Sequence, residues 1–245
     1  EEGEYFFGYY DKSPWDASGK YMLCLKAKNT WTDVSPRESA EILLLDTEND
    51  NVTVIGETKS WNVQQGCMLQ WLGPDYSSRI IYNDYRNGHY CSVIVDKNGN
   101  EKKIVPMPVY SVSTNGKFAL TLDFSRLYQL RPGYGYYNEI EQTKGEMAPN
   151  KTCIWRVNLE NGEVSSILKY TDFVAFNTCQ SMLDPNAAHK VNHIMINPRG
   201  DRFMVLHRWM IGGKKQTRLI TCNIDGKDMY LLSEKYIHCS CRLRF

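Results

Sequence analysis

Charge imbalance is the first thing this sequence lacks. Its 29 lysines and arginines face 28 aspartates and glutamates, for a formal net charge of +1. So even a balance gives no electrostatic reason to expect a nucleic acid or an anionic membrane surface as partner. Long apolar runs are missing as well: no stretch approaches the ~20 residues a membrane-spanning helix needs. Helical periodicity is almost absent between the apolar stretches, which argues against a βαβ fold. The sequence has no Gly-x-Ser-x-Gly elbow, no phosphate-cradling Gly-x-x-x-x-Gly-Lys-Ser/Thr and no His-Glu-x-x-His. Gly212-Gly-Lys-Lys215 is a basic turn without the strand, loop and helix that a phosphate loop requires. No signal peptide is visible, but the chain starts at Glu1 without a methionine, so that absence says nothing about a removed leader.

What is present points to strands. Sixteen tyrosines and six tryptophans skew an otherwise ordinary composition. Aromatic side chains suit pleated sheets first and sugar-binding surfaces second. Most of the eight cysteines sit in apolar strand-like runs such as Tyr21-Met22-Leu23-Cys24-Leu25. They read as buried free thiols, which favours a reducing compartment such as the cytoplasm and leaves secretion open. Cys239-Ser-Cys241 is too tightly spaced for a zinc knuckle and has no second cysteine pair. The sequons at Asn51 and Asn150 are about what chance supplies.

Two elements recur in order. The first is a short alternating strand that ends in Asp or Asn and runs into a polar turn. Its copies are Glu41–Asp46, Ser92–Asp96 with Lys-Asn-Gly99, Cys153–Asn158 with Glu-Asn-Gly162, and Leu219–Asn223 with Ile-Asp-Gly226. Another short strand follows each: Asn51–Ile55, Lys102–Val105, Val164–Leu168 and Met229–Leu232. Asn-Gly and Asp-Gly between apolar runs are strong hairpin signals because both residues tolerate positive φ. The Asp46, Asp96 and Asn158 series reads as structural, holding turns through side-chain to backbone bonds.

The second element is a turn rich in Pro, Gly, Asn or Asp ahead of a strongly apolar strand. It appears at Pro14–Gly19 before Tyr21–Leu25, and at Gly73-Pro-Asp75 before Arg79–Tyr82. It returns at Ser113–Gly116 before Phe118–Leu122, and at Asn197–Asp201 before Arg202–His207. Each unit is thus four antiparallel strands, repeating at roughly 45 to 60 residues, which is the signature of propeller blades. A β-sandwich would not repeat this two-part unit in order.

The expected fold is therefore all-β: a β-propeller of four-stranded antiparallel blades, forming a single domain over residues 1–245. Four blades are visible. Tyr236–Phe245 resembles the first strand of a fifth: either it completes an earlier blade or, the favoured reading, the intact chain is longer, with roughly five to seven blades. Ser125 to Asn150 is an insertion within the third unit, and Tyr170 to Ala188 has room for a helical turn or two.

The stretch His193-Ile-Met-Ile-Asn-Pro-Arg-Gly-Asp-Arg-Phe-Met-Val-Leu-His207-Arg-Trp209 resembles blades of the TolB-like and oligogalacturonate-lyase-like propellers. Those blades read His-Pro-x-Phe-Ser-Pro-Asp-Gly before a strand. Ser111–Leu122, Gly66–Tyr82 and Gly8–Trp15 look like divergent copies. The lyase likeness implies a manganese-type divalent metal held by histidines and a glutamine, and β-elimination of short uronate oligosaccharides. His193 and His207 fall on histidine positions of the blade pattern and are the implied catalytic pair. His238-Cys-Ser-Cys lacks the family's closely spaced Gln-x-x-His-x-His cluster.

First strands of propeller blades line the central channel, so residues at that register converge. Asp11, Gln65, His193 and His238 occupy it, and with His207 they form a candidate metal set. The cation would neutralise a uronate carboxylate, and a histidine would remove the adjacent proton. Arg126, Arg131 or Arg208 would clamp a second carboxylate, and Tyr134 and Tyr136 would stack on sugar faces.

Blander readings stand beside these. His207 is a hydrogen-bonded, partly buried imidazole; His189 is solvated in a polar loop. Asp11 caps the turn into Ser13-Pro14. Tyr134 and Tyr136 pack the insertion, and Arg126 joins a structural ion pair between blades. Three functions compete: a metal-dependent lyase or altered relative, a non-catalytic propeller binding an oligosaccharide or protein on its channel face, and an accessory domain of a larger chain.

Overall fold

The structure, a computed structural model, describes residues 2–30 and 38–233. Its secondary structure follows the repeat. The first sheet orders β1 (Glu4–Phe6), β2 (Tyr21–Ala27), β3 (Ala40–Asp46) and β4 (Asn51–Thr58) side by side. The second does the same with β5 (Gln70–Trp71), β6 (Arg79–Arg86), β7 (His89–Asp96) and β8 (Glu101–Val105). The third contains β9 (Ser111–Val112), β10 (Phe118–Leu122), β11 (Thr152–Asn158) and β12 (Val164–Lys169). The fourth contains β13 (Ala188–Ile196), β14 (Arg202–Ile211), β15 (Lys214–Asn223) and β16 (Tyr230–Ser233). Neighbouring strands are antiparallel in all four sheets. These are propeller blades.

The repeated polar residues make the turns. Asp96 Oδ1 accepts the backbone N–H groups of Asn98 and Asn100 at 2.9 and 3.0 Å, and Asn158 Oδ1 accepts those of Glu160 and Asn161. Such side-chain bonds satisfy donors that the hairpin leaves outside its ladder. The preceding turn works likewise: Asp16 Oδ1 takes the N–H of Tyr21, and Asn197 Oδ1 takes those of Asp201 and Arg202. Gly99, Gly162 and Gly226 close their hairpins at φ of 78°, 81° and 83°, where a β-carbon is disfavoured.

The blades fall into two compact units. Unit 1 contains the chain to Val109 plus Arg131–Ile140; unit 2 contains Tyr110–Leu130 and the chain from Glu141. In unit 1 the period-two apolar faces of blades 1 and 2 form one core. Leu23, Leu25, Ile42 and Leu44 of blade 1 join Ile80 and Val93 of blade 2, capped by Trp61 and Trp71. Each fully buried aliphatic side chain contributes about 1.5–3 kcal/mol.

In unit 2, helix α1 (Phe124–Leu130) opens the insertion. It begins there because Asp123 Oδ1 accepts the N–H of Arg126 and the hydroxyl of Ser125, an N-terminal cap. A second short helix, α2 (Tyr170–Ala175), and a 3₁₀ turn at Gln180–Met182 supply the helical turns expected between residues 170 and 188. Residues 236–245, the expected start of a fifth blade, lie outside the described residues.

Candidate functional site

Unit 2 holds His189, His193 and His207, and the fold pairs them differently from the expected set. His189 lies on β13 and is wholly buried, so it is not the solvated loop residue its sequence context implied. β13 begins at Ala188, five residues before the blade pattern that starts at His193, and register places His189 opposite Trp209 of β14. Met182 and Trp209 belong to the apolar cluster beside it. His207, also wholly buried, stacks on His189 with ring centroids 5.0 Å apart and on Phe173 at 5.2 Å.

The hydrogen bonds fix the tautomers. The Met182 carbonyl can only accept, so His189 Nε2, 3.0 Å away, carries the proton. His189 Nδ1 then accepts from His207 Nε2–H at 2.8 Å. His207 Nδ1 accepts in turn from Arg218 Nε–H at 3.0 Å. The guanidinium also donates to the carbonyls of Phe173, Phe176 and Asn177. Every polar atom of the chain from Arg218 to Met182 is satisfied with both imidazoles neutral. Burial lowers the pKa of both histidines, and the nearby guanidinium reinforces this. A proton on His207 Nδ1 would set two donors face to face beside a fixed cation.

This arrangement does not suit a metal. His207 has no free lone pair: one ring nitrogen donates and the other already accepts. Among the described residues no group of three His, Cys, Asp or Glu side chains is placed to hold a metal ion. His193 sits at a register shift of β13 with φ of 55°, and its N–H donates to the Tyr110 hydroxyl at 3.1 Å. The partners of the His207 ring are His189 and Arg218, not His193. Asp11 and Gln65 belong to unit 1. Asp11 Oδ2 pairs with Lys12 Nζ at 2.8 Å, and Gln65 Oε1 accepts from the Gly135 N–H at 3.3 Å. The turn into Pro14 is held by Ser13, whose hydroxyl accepts the Trp15 N–H, rather than by Asp11. His238 lies outside the described residues.

The nominated sugar-clamping residues divide. Arg126 is 2% exposed and serves the fold. Its guanidinium donates to the carbonyls of His189, Glu146 and Met147 and to Thr143, with Glu141 Oε2 at 3.7 Å, so it fastens the insertion to β13 within one blade pair. Its acidic neighbour is in the insertion, not across blades. Tyr136 is 1% exposed, packs on Tyr90, and accepts from Asn83 Nδ2 at 3.0 Å. The packing interpretation therefore holds for Tyr136. Arg131 and Tyr134 are half-buried and stack on each other at 3.9 Å. Arg208 is buried on β14 opposite Lys190. Sequence reasoning did not single out Arg218; its signal was a lone arginine at the head of the apolar run Leu219-Ile220.

The six described cysteines are free thiols, five of them buried, with Cys179 exposed. Burial pushes Cys91 up to about 11 and Cys222 up to about 12, so both remain unreactive thiols.

Four-stranded antiparallel blades define the class: a β-propeller-type protein. No protein-family model matches the chain, and no curated protein does. Solved structures match in fold. An oligogalacturonate lyase from Vibrio parahaemolyticus superposes with a TM-score of 0.58 at 13% identity, over 96% of this chain and 54% of that one. TolB from Acinetobacter baumannii gives 0.52 at 13% identity, over 95% of this chain and 44% of that one. A prolyl endopeptidase gives 0.50 at 11% identity, over 96% of this chain and 30% of that one. The likeness to TolB and oligogalacturonate lyase expected from the blade pattern is thus present at the level of fold. This chain spans about half the length of those two structures.

Proposed function

We propose that this protein is a carbohydrate-binding β-propeller in which His189 and His207 hold the fold rather than carry a metal or act as a proton-abstracting base. One observation supports this above others. Both ring nitrogens of His207 are engaged, by His189 and by Arg218, in a buried chain that is complete only when the imidazoles are neutral. A base needs an accessible lone pair, and a metal ligand needs one that points at the ion. His207 offers neither. The glycan direction draws on the likeness in fold to a propeller that acts as an oligogalacturonate lyase, and on the richness in tyrosine and tryptophan.

The test starts from protein purified without chelator. Its manganese, zinc and iron content is measured, oligosaccharides are titrated by calorimetry, and uronate oligomers are assayed for the ultraviolet absorbance of an unsaturated product. The expected result is oligosaccharide binding with neither stoichiometric metal nor product. Near-stoichiometric metal that vanishes in a His193→Ala, His207→Ala double variant, together with product formation, would restore the metal-dependent lyase.

A further inference from the structure

Unit 1 contains a cleft that the histidine chemistry does not use. It opens between blade 1 and blade 2 and encloses about 490 Å³, inside the range of roughly 300–1,000 Å³ for small-ligand sites. The end of β4 and the residue beyond it form one wall; β6 and the start of β8 contribute to the other.

Tyr82, on β6, lies on this cleft and is 2% exposed. Its hydroxyl has no hydrogen-bond partner among the described residues. Burial raises its pKa, so the phenol keeps its proton and remains a donor. The phenolic oxygen is not among the buried polar atoms sealed off without a partner; it lies at the wall of the cleft, where a group entering the cleft can accept its proton. Gly56 makes room for that hydroxyl: a β-carbon there would stand 2.6 Å from the phenolic oxygen. Glycine within a strand often marks a place where another group approaches closely.

Charge selects the ligand. Arg86 donates through Nε to Asp84 at 2.7 Å and through Nη1 to Glu101 at 2.6 Å, which leaves its second terminal nitrogen. Asp84 is held further by the backbone N–H groups of Lys59 and Tyr85. Glu57 and Lys59 are exposed on the rim, and their side chains form no ion pair among the described residues. Three carboxylates against two cations leave the cleft at a formal −1. An entering carboxylate is repelled; hydroxyl and ammonium groups are not.

We infer that this cleft binds a polyhydroxylated ligand without a carboxylate, a neutral or amine-bearing sugar. Tyr82 and Arg86 donate to its oxygens, and Glu57 accepts from its hydroxyl or ammonium group. The inference rests on the carbohydrate-binding reading and adds to it the site and the ligand class.

Calorimetric titration with three probes tests it: a neutral gluco-oligosaccharide, a glucosamine oligomer and a galacturonate oligomer. The neutral or the amine probe binds the parent protein more tightly than galacturonate. Tyr82→Phe, which removes one oxygen and keeps the ring, weakens that binding about tenfold. Glu57→Lys, at an exposed position, moves the cleft from −1 to +1 and shifts preference toward galacturonate. Tightest parent binding to galacturonate overturns the inference. So does binding of the other probes that is indifferent to both variants, in which case the protein is still a carbohydrate binder with its site elsewhere. Failure of all three probes to bind removes both readings.

Discussion

Acid should destabilise this fold earlier than its carboxylates alone would dictate, because two buried histidines must remain neutral. The perturbation is a shift from pH 7.5 to pH 5.5. In the unfolded chain each histidine titrates near 6.5. In the fold both pKa values are lowered, chiefly by burial and additionally by Arg218. Below pH 6.5 the unfolded state therefore binds protons that the folded state refuses, and stability falls with pH. The stabilisation is fully present above the unfolded value and is lost as the pH drops toward the folded ones. A histidine that stays neutral in the fold costs about 1.4 kcal/mol at one unit below 6.5; His207, held well below its ordinary value, incurs that cost at pH 5.5, and His189 adds to it in the same direction. That is a large share of a net stability of about 5–15 kcal/mol. On a chain of this size that cost lowers Tm by roughly 3–6 °C. Urea unfolding followed by tryptophan fluorescence at pH 7.5, 6.5 and 5.5 measures the loss. The control is a His189→Leu, His207→Leu, Arg218→Met variant, which replaces the whole chain of hydrogen bonds with apolar groups. Its stability should be nearly flat between pH 7.5 and 6.0. An equal acid slope in parent and variant would refute the reasoning.

Three further perturbations test other contacts of the fold. Asn83→Ala removes an amide whose Oδ1 accepts from Ser92 and Val109 and whose Nδ2 donates to Val109 and Tyr136. A loss of about 2–4 kcal/mol in chemical denaturation is expected, and less than 1 kcal/mol would show that the network is dispensable. Asp123→Ala uncaps α1 and should cost about 1 kcal/mol, while Asp123→Asn retains most of that stability. Gly226→Ala forces a β-carbon to 2.8 Å from the Ile167 carbonyl oxygen at φ of 83°. A fall in Tm of several degrees should follow, and an unchanged Tm would contradict the packing of that hairpin.

The order of four-stranded blades was legible in the sequence because turn chemistry is local. Asp96 and Asn158 bond to N–H groups two to four residues on, so the residues that make a turn stand beside it. Apolar alternation on β2, β3, β6 and β7 likewise declares which face is buried. The cap of α1 is equally local: Asp123 bonds to Ser125 and Arg126, two and three residues on.

Tertiary structure decided the site. His189 and His207 are eighteen residues apart, and their contact depends on a strand register that a bulge between Asn192 and Met195 resets. Whether a histidine is a base, a ligand or a link in a buried chain depends on what meets each ring nitrogen. For His207 that is Arg218 on β15 and His189 on β13. The cleft in unit 1 was hidden for the same reason: Gly56 and Tyr82 belong to different blades, and only packing brings the glycine's missing side chain over the phenol. Local bonds write themselves into neighbouring letters; a lone pair's partner and a cleft's charge are set by chain segments that meet only in the folded state.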